Sequence, residues 1–342
     1  MLKLQLRDED ITAIEKITGE VTGRFTSIED PALHRAAQVY AHELPRALRT
    51  ALVDFRLTEP SGVLVVSGLP VDDATLGLTP PDWRDKVAPE ATLRLDVPFL
   101  LIGCLLGEPI AWATQQDGRV MHDIFPIRAH EHGQIGWGSA ETLAWHTEDA
   151  FHPLRTDYLG LMCLRNPDGV ETTFADIADV RLDDATRAAL AERRFKILPD
   201  DSHRPENQVA GGQVDPEVAE LMRLSAERVE SALRSPEPVA VLFGSPRDPY
   251  VRLDPYYMQG VQGESEQRVL DKIGEALDGA MGGVALAPGD IAFIDNYRVV
   301  HGRKPFQARF DGTDRWLRRL NITRDLRNSR HARLSAESRV IH

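Results

Sequence analysis

Hydrophobic and polar positions divide the chain into a helical beginning and a strand-rich middle. After Asp30-Pro31, a pair typical of a helix start, apolar residues recur at three- and four-residue spacing. The first fifty or so residues are therefore predicted to be helical. Val63-Leu64-Val65-Val66 is an apolar run typical of a buried strand. Residues 91–106 are predicted to form another helix, interrupted near Pro98.

Short strand-like segments dominate the rest of the chain. They are predicted at residues 111–114, 120–125, 143–146, 158–164, 172–177, 195–198, 239–243, 291–294 and 316–322. Helices are predicted between them, at residues 183–194, 216–231 and 264–277. The polar residues 200–216 are long enough for a functional loop. This order indicates a mainly β fold, a single sandwich or barrel with helical support.

Composition and charge narrow the function classes. With 342 residues, 42% of them hydrophobic, the chain can bury a core, and its two cysteines cannot build a disulfide framework. The beginning of the chain lacks the apolar core of a signal peptide, so we expect a cytoplasmic protein that binds no membrane. The net charge is −13, although residues 298–342 carry twelve Lys and Arg against four Asp and Glu. The acid-rich remainder argues against a nucleic-acid partner for this basic segment.

The candidate chemistry begins with Trp145-His146-Thr147-Glu148-Asp149 at a predicted strand end. Because strand side chains alternate, His146 and Glu148 project to one side and could hold a metal ion together. His-x-Glu alone is weak evidence, but His301 follows an apolar stretch far downstream and could supply a third ligand. Two His and one carboxylate are typical of non-haem Fe(II) oxygenases. Zinc in a hydrolase would accept the same three side chains.

Arginines on the last predicted strand favour iron. Arg315 and Arg319 share one face by alternation, while Arg318 points to the other. An inward arginine beside a metal requires an anion, and a carboxylate is its natural bidentate partner. Two such arginines indicate two carboxylates, one from an oxo-acid cosubstrate and one from an amino-acid substrate. The other arginines of this segment are predicted to be solvated surface charges: Arg318, Arg324, Arg327, Arg330 and Arg333.

These motifs carry a family resemblance. The segment from Trp145 to Phe151, Tyr158-Leu159-Gly160-Leu161, His301-Gly302-Arg303 and Arg315 resemble the clavaminate synthase-like Fe(II)/2-oxoglutarate oxygenases. Within that group the chain is most similar to β-hydroxylases of free arginine, related guanidino amino acids or asparagine. The resemblance implies a double-stranded β-helix (jelly-roll, cupin-like) core. It also implies one oxygenase domain over residues 1–342, with helical support from 1–60 and helical or lid insertions at 200–235 and 259–281.

The resemblance also implies roles for individual residues. His146, Glu148 and His301 would ligate Fe(II), and Arg315 and Thr173 would bind 2-oxoglutarate. Arg319 would hold the substrate α-carboxylate. Glu148 and one of two adjacent glutamines would face the α-amine, with Gln116 favoured over Gln115. Asp200, Asp201 and Ser202 in the lid, together with Asp254, would contact the substrate side chain.

The implied reaction is hydroxylation of the β-carbon (C3) of L-arginine or a related guanidino amino acid, with O2 as cosubstrate, in specialised (antibiotic) metabolism. Carboxylates at the side-chain end favour a guanidinium, whereas Tyr256 departs from a second acid found in some members. The alternatives are an asparagine-type β-hydroxylase and a zinc-dependent hydrolase. His130-Glu131-His132 is a rival metal pair that we interpret as exposed loop. The sequence leaves the oligomeric state open.

Overall fold

Two β-sheets lie face to face, and helices cover their outer surfaces. The computed structural model describes residues 1–85, 89–203 and 216–342. The described helices are α1 Asp8–Arg24, α2 Pro31–Tyr40, α3 Arg46–Thr58, α4 Asp73–Leu76, α5 Pro89–Gly103, α6 Asp184–Leu190, α7 Pro216–Arg234, α8 Pro255–Met258 and α9 Glu264–Ala280. The described strands are β1 Leu2–Gln5, β2 Val63–Ser67, β3 Glu108–Trp112, β4 Met121–Ile124, β5 Leu143–His146, β6 Tyr158–Arg165, β7 Thr172–Asp176, β8 Leu242–Gly244, β9 Pro249–Val251, β10 Gly282–Val284, β11 Ile291–Asp295, β12 Val299–Arg303, β13 Trp316–Thr323 and β14 Val340–Ile341.

The larger sheet has the order β1-β2-β11-β6-β13-β3-β14, with β4 also paired to β13. The smaller sheet has the order β10-β7-β12-β5, and β8 and β9 form a separate pair. Pairing is antiparallel except for β1 with β2 and β14 with β3. The smaller sheet places β5 beside β12, which are far apart in sequence. This neighbourhood positions the candidate metal ligands.

Alternation along the strands sorts side chains into three apolar layers. The inner faces of the two sheets meet in a cluster that includes Leu161, Leu317 and Phe174. The outer face of the larger sheet packs against the N-terminal helices, with Phe293 among its buried residues. The outer face of the smaller sheet packs under α9, through residues such as Ile273. Side chains that belong to neither apolar outer layer, including the candidate site, therefore project between the sheets.

The predicted elements are largely confirmed, with three corrections. Leu2–Gln5 is a strand that pairs with β2, so the first fifty residues are not wholly helical. Helix α5 continues through Pro98, because burial of flanking Val97 and Phe99 outweighs the lost hydrogen bond. Residues 195–198 contribute only a single bridge between Phe195 and Val239.

The balance of helix and strand also differs from the expected mainly β composition. Helices, with 3-10 helices included, hold 39% of the described residues and strands 20%, so the fold is mixed around a pair of sheets. Part of the predicted loop, residues 204–215, lies outside the described residues. In the part of the chain that is described, no helix combines the length and the apolar character needed to span a bilayer.

Candidate active site

Two histidines and a glutamate converge at the end of β5. His301 on β12 lies opposite His146 on β5 in the antiparallel pairing. Glu148 follows just beyond the strand, with its Oε2 3.7 Å from His146 Nε2 and 3.4 Å from His301 Nε2. Gly302 permits this close approach, because a Cβ there would lie 2.5 Å from the Leu143 carbonyl oxygen. The structure thus brings together the three predicted ligands.

The donor atoms of these three residues fit a divalent metal ion. The Nδ1 of His146 lies 2.9 Å from the Ala144 carbonyl oxygen, so it carries the proton and leaves the Nε2 lone pair free. One ligand atom from each residue lies within 4.8 Å of the other two. Burial alone would raise the pKa of Glu148, but the Arg319 charge, with the adjacent His146 and His301 imidazoles, holds it well below its ordinary value. An ionised carboxylate with two imidazoles suits non-haem Fe(II).

Asn296 supports the candidate ligand Glu148, and the sequence did not identify it. Its fully buried side chain accepts a 2.6 Å hydrogen bond from the Glu148 backbone N–H. The same amide donates to the carbonyl oxygens of Glu148 at 3.0 Å and Thr156 at 2.8 Å. An amide directly after the apolar strand β11 was the available signal. Asn296 therefore holds the backbone on which Glu148 is carried.

Buried positive charge lies between the sheets around Arg315. Arg315 is 6% exposed and donates a 3.1 Å hydrogen bond to Thr172 Oγ1, while its Nε has no partner. No carboxylate among the described residues forms an ion pair with it, and burial lowers its pKa to about 10. Arg303, also buried, adds positive charge nearby. An unpaired buried guanidinium is costly, so this arrangement favours a bound carboxylate.

The hydroxyl that contacts Arg315 belongs to Thr172, one position before Thr173, the residue predicted to contact 2-oxoglutarate. In the antiparallel pairing of β7 with β12, His301 lies opposite Phe174 and Arg303 lies opposite Thr172. Paired residues share a face, so Thr172 points inward with His301. Thr173, the predicted residue, points to the outer face instead. The sequence showed that neighbouring residues of this strand point to opposite faces. It did not show which of the two faces points to the site.

Arg319 links the candidate ligand Glu148 to Gln115, one of the two predicted glutamines. Its Nη1 donates to Glu148 Oε1 at 2.8 Å, and its Nη2 bonds Gln115 Oε1 and lies 2.7 Å from His122 Nδ1. The Gln116 side chain instead bonds the backbone of Asp123 in both directions, at 2.8 and 2.9 Å. The structure therefore places Gln115 in the site and gives Gln116 a structural role. These contacts favour Gln115 as the substrate contact, whereas the sequence favoured Gln116.

Acidic residues gather near His146. They are Asp254 and, from the turn before the undescribed residues, Asp200 and Asp201. Asp254 caps α8 by accepting from the Tyr257 N–H at 3.2 Å, and burial raises its pKa to about 6 against the opposing effect of His146. Asp200 interacts electrostatically with Asp254, and the Asp201 N–H donates to Tyr257 Oη at 2.9 Å. The side chain of the predicted contact Ser202 lies outside the described residues.

Two of the predicted surface arginines are in fact buried. Arg318 points away from the site, as predicted, but it forks onto Asp96 at 2.8 and 2.9 Å and also pairs with Asp123. Arg333 donates to four backbone carbonyl oxygens of its own C-terminal segment. The remaining three are exposed as predicted: Arg324, Arg327 and Arg330. Partners distant in sequence account for Arg318, whereas Arg333 is enclosed by its own segment.

The rival metal pair is not assembled. The described residues contain two groups that could hold a metal, and neither includes His130 or His132, which is exposed. The second group joins Asp149, Asp200 and His203. Cys104 and Cys163 are buried free thiols, as the sequence indicated, and burial raises both pKa values to about 12.

Comparison with known proteins identifies the family. The sequence pattern of the family described as taurine catabolism dioxygenase TauD, TfdA family matches residues 55–321. The chain belongs to the TauD/TfdA family. TauD/TfdA enzymes are non-haem iron dioxygenases that use Fe(II) and 2-oxoglutarate, so the protein is an enzyme of this class with those cofactors. Membership in this family decides against the zinc hydrolase.

Individual TauD/TfdA relatives cover the whole chain. An enduracididine beta-hydroxylase of Streptomyces hygroscopicus is 63% identical over 100% of both chains. An L-ornithine/L-arginine 3-hydroxylase of Catenulispora acidiphila is 46% identical, again over 100% of both. Among solved structures, the non-haem iron oxygenase OrfP in complex with Fe, succinate and (3S)-hydroxy-L-Arg has a TM-score of 0.91 at 39% identity, with 100% of each chain covered.

Proposed function

We propose that this dioxygenase hydroxylates the β-carbon (C3) of free L-arginine or a related guanidino amino acid such as enduracididine, in antibiotic metabolism. The observation that carries the proposal is the distribution of charge around His146, Glu148 and His301. Arg319 contacts Glu148 and Gln115, whereas Asp254 acts electrostatically on His146 and has Asp200 nearby. An amino acid with a cationic side chain is complementary to both. The names of the relatives support the same substrate class.

The cofactor roles follow from the chemistry of each pocket. His146, Glu148 and His301 would hold Fe(II), which, when bound, couples decarboxylation of 2-oxoglutarate to C–H oxidation by O2. Arg315, assisted by the Thr172 hydroxyl, would pair with the distal carboxylate of 2-oxoglutarate. A bidentate carboxylate would satisfy the unpartnered Nε of Arg315 and offset the cost of burying its charge. Thr173 has no part in this proposal.

The α-carboxylate and α-amine of the substrate would be bound by the Arg319 network. Arg319 is a guanidinium with a buried, unpartnered Nε, and it would accept a carboxylate beside its existing bonds. The Gln115 carbonyl and the Glu148 carboxylate are acceptors that suit an ammonium group. Holding both ends of the amino acid would fix which carbon faces the metal, and such orientation is the main contribution that protein side chains make in cofactor enzymes.

The side-chain end would be recognised by acids, with Asp254 as the central group. At neutral pH a carboxyl with a pKa of about 6 is mostly ionised, and a guanidinium would stabilise that charge further. Asp200 and Asp201 would complete the negative surface. The amide of asparagine needs no such charge, and this distinguishes the guanidino proposal from the asparagine alternative.

A substrate panel tests the proposal. The purified enzyme with Fe(II), ascorbate and 2-oxoglutarate is given L-arginine, L-enduracididine, L-ornithine or L-asparagine, and products are identified by mass and fragmentation. We expect succinate and a product heavier by one oxygen atom at C3 with a guanidino substrate. Preference for asparagine would replace the proposal with the amide alternative. Turnover of 2-oxoglutarate alone, unaffected by every amino acid, would refute both.

A charge-neutral variant tests the acidic end. Asp254→Asn keeps the shape of the side chain and removes its charge, so KM for the cationic substrate should rise by about 10- to 100-fold while KM for 2-oxoglutarate changes little. Asp248→Asn is the matched control, since Asp248 is exposed on the turn between β8 and β9. Equal effects on both KM values would count against a side-chain role.

We further propose that the paired sheets form a double-stranded β-helix, that residues 1–342 make one oxygenase domain, and that it acts in the cytoplasm. The meeting of both inner faces in one apolar cluster supports the first point. Helices α1–α3 pack on the larger sheet, and α7 and α9 lie at the expected insertions. A single cooperative melting transition, lost as a unit on truncation of residues 1–60, would test the domain boundaries.

A further inference from the structure

His203 joins the acidic turn, residues 199–203, to the body of the protein through two hydrogen bonds and a close contact with Gln115. It ends the short 3-10 helix Asp201–His203 and is only 3% exposed. Its Nε2 lies 2.9 Å from Asp149 Oδ1 and 3.3 Å from Gln115 Nε2, and its Nδ1 lies 2.9 Å from Thr114 Oγ1. Both ring nitrogens are thus bonded to residues outside the loop.

The receiving surface is rigid. Asp149 Oδ2 accepts a 2.6 Å hydrogen bond from Trp112 Nε1, and Asp149 adopts a left-handed backbone with φ of 49°. Aspartate tolerates this region better than most residues, and the hydrogen bond from Trp112 holds its side chain in place. The His203 ring packs edge-on against Trp112 and Phe151, at centroid distances of 5.1 and 5.0 Å. The imidazole therefore lies in a socket formed by the Asp149 carboxylate and the Trp112 and Phe151 rings.

This socket lies between the two proposed ends of the substrate site. Gln115, which contacts His203, also accepts from Arg319. On the loop side, Asp200 lies three residues before His203, and their charged groups approach to 3.9 Å. The same imidazole is thus connected to the network proposed for the α-amine and to an acid proposed for the side chain.

We propose that His203 is a positioning residue that latches the acidic turn, residues 199–203, onto the body and sets the placement of Asp200, Asp201 and Gln115 for a cationic amino acid. The inference rests on the proposed function for its substrate. The latch does not need the substrate, since the bonds to Asp149 and Thr114 form within the protein itself. His203 determines specificity through the acids it positions.

A second metal ion is the competing interpretation of Asp149, Asp200 and His203, which are close enough to bind one. Hydrogen bonds account for this group without a metal. Both Asp149 oxygens have donors, from Trp112 and His203, and the second nitrogen of His203 is bonded to Thr114. The latch is therefore the interpretation that we test.

Hydrogen exchange without any substrate measures the latch directly. In His203→Ala the amides of residues 200–203 should exchange at least about tenfold faster, because both anchoring bonds and the packed ring are lost. His203→Gln should restore much of the protection, since its amide can donate to Asp149 where Nε2 does. Thr114→Val, a milder change, should give a smaller effect in the same direction. His132→Ala, at an exposed histidine, is the control.

Kinetics then test the consequence. His203→Ala should raise KM for the guanidino substrate by about 10- to 100-fold and increase succinate formed per hydroxylated product. KM for 2-oxoglutarate and the affinity for Fe(II) should stay within about twofold of wild type, and His203→Gln should recover most of the loss.

Three results would overturn the latch. They are unchanged exchange of residues 200–203 in His203→Ala, an equal rise in both KM values, or a second metal ion bound by the wild type and lost in the variant. If the wild type hydroxylates no basic amino acid, the proposed function fails, whereas the exchange experiment still decides whether the latch exists.

Discussion

Arg315 and Arg318 provide a matched pair for separating a binding arginine from a structural one. They lie three residues apart at the start of β13, and each is 6% exposed. Arg318 is paired with Asp96 and Asp123, which raise its pKa despite burial. Arg315 has a hydroxyl partner, and burial lowers its pKa from 12.5 to about 10. Replacing each by methionine should therefore change stability in opposite directions.

The magnitudes follow from these environments. One pKa unit corresponds to about 1.4 kcal/mol, so burying the Arg315 charge costs the fold about 3 kcal/mol at neutral pH, where the group is charged in both folded and unfolded states. Losing the Thr172 hydrogen bond lowers the free energy of unfolding by about 1 kcal/mol. Arg315→Met should then stabilise the ligand-free protein by about 2 kcal/mol. Arg318→Met leaves two buried carboxylates unpaired and should cost about 3–5 kcal/mol.

Denaturant unfolding and thermal melting, each with and without 2-oxoglutarate, provide the assay. Wild type should gain stability with 2-oxoglutarate and Fe(II), because the ligand binds only the folded state. Without ligand, Arg315→Met should be more stable than wild type. With 2-oxoglutarate and Fe(II), it should not gain the stability that wild type gains. If Arg318→Met does not fold, Arg318→Lys supplies the destabilised comparison. The reasoning is refuted if Arg315→Met is destabilised as much as the Arg318 variant, or if it keeps the full ligand-induced gain.

Three further predictions use other residues of the fold. Thr172→Val should raise KM for 2-oxoglutarate by about three- to tenfold, whereas Thr173→Val, on the outer face, should not; equal effects would contradict the assigned register. Asn296→Ala should lower the free energy of unfolding by about 3 kcal/mol and weaken Fe(II) binding in calorimetry, because it strands the buried backbone groups of Glu148. If Asn296→Ala binds Fe(II) as tightly as wild type, Asn296 contributes only to the stability of the fold. Burial raises the pKa of Asp295 from 3.8 to about 7, so the folded state holds that proton more tightly and stability should fall as pH rises from about 4 to 7. Asp295→Asn should flatten this part of the melting-temperature profile, and an unchanged slope would refute the assignment.

Local rules were sufficient wherever a property depends on neighbours along the chain. Alternation predicted that Arg315 and Arg319 share a face and that Arg318 opposes them, and the contacts with Thr172, Glu148 and Asp96 confirm both statements. The same rule placed His146 and Glu148 together. The family resemblance, carried by short motifs, predicted the family that the comparisons confirm.

Local rules were insufficient where two adjacent residues compete for one role. Thr172 or Thr173, and Gln115 or Gln116, differ by one position, and a strand or turn presents one of each pair to the site. Which one faces inward depends on how β7 pairs with β12 and how residues 115–118 turn at a positive φ. These are properties of chain segments far apart in sequence.

The sequence by itself determined the kind of protein: a sheet-based oxygenase with two histidines, a glutamate and inward arginines. Only the tertiary structure decided the partners of those residues, including Asn296 behind Glu148, Asp96 beside Arg318, and Asp149 beneath His203. The physical reason is that periodicity specifies the direction of a side chain, whereas burial and charge pairing depend on whatever the folded chain places opposite it.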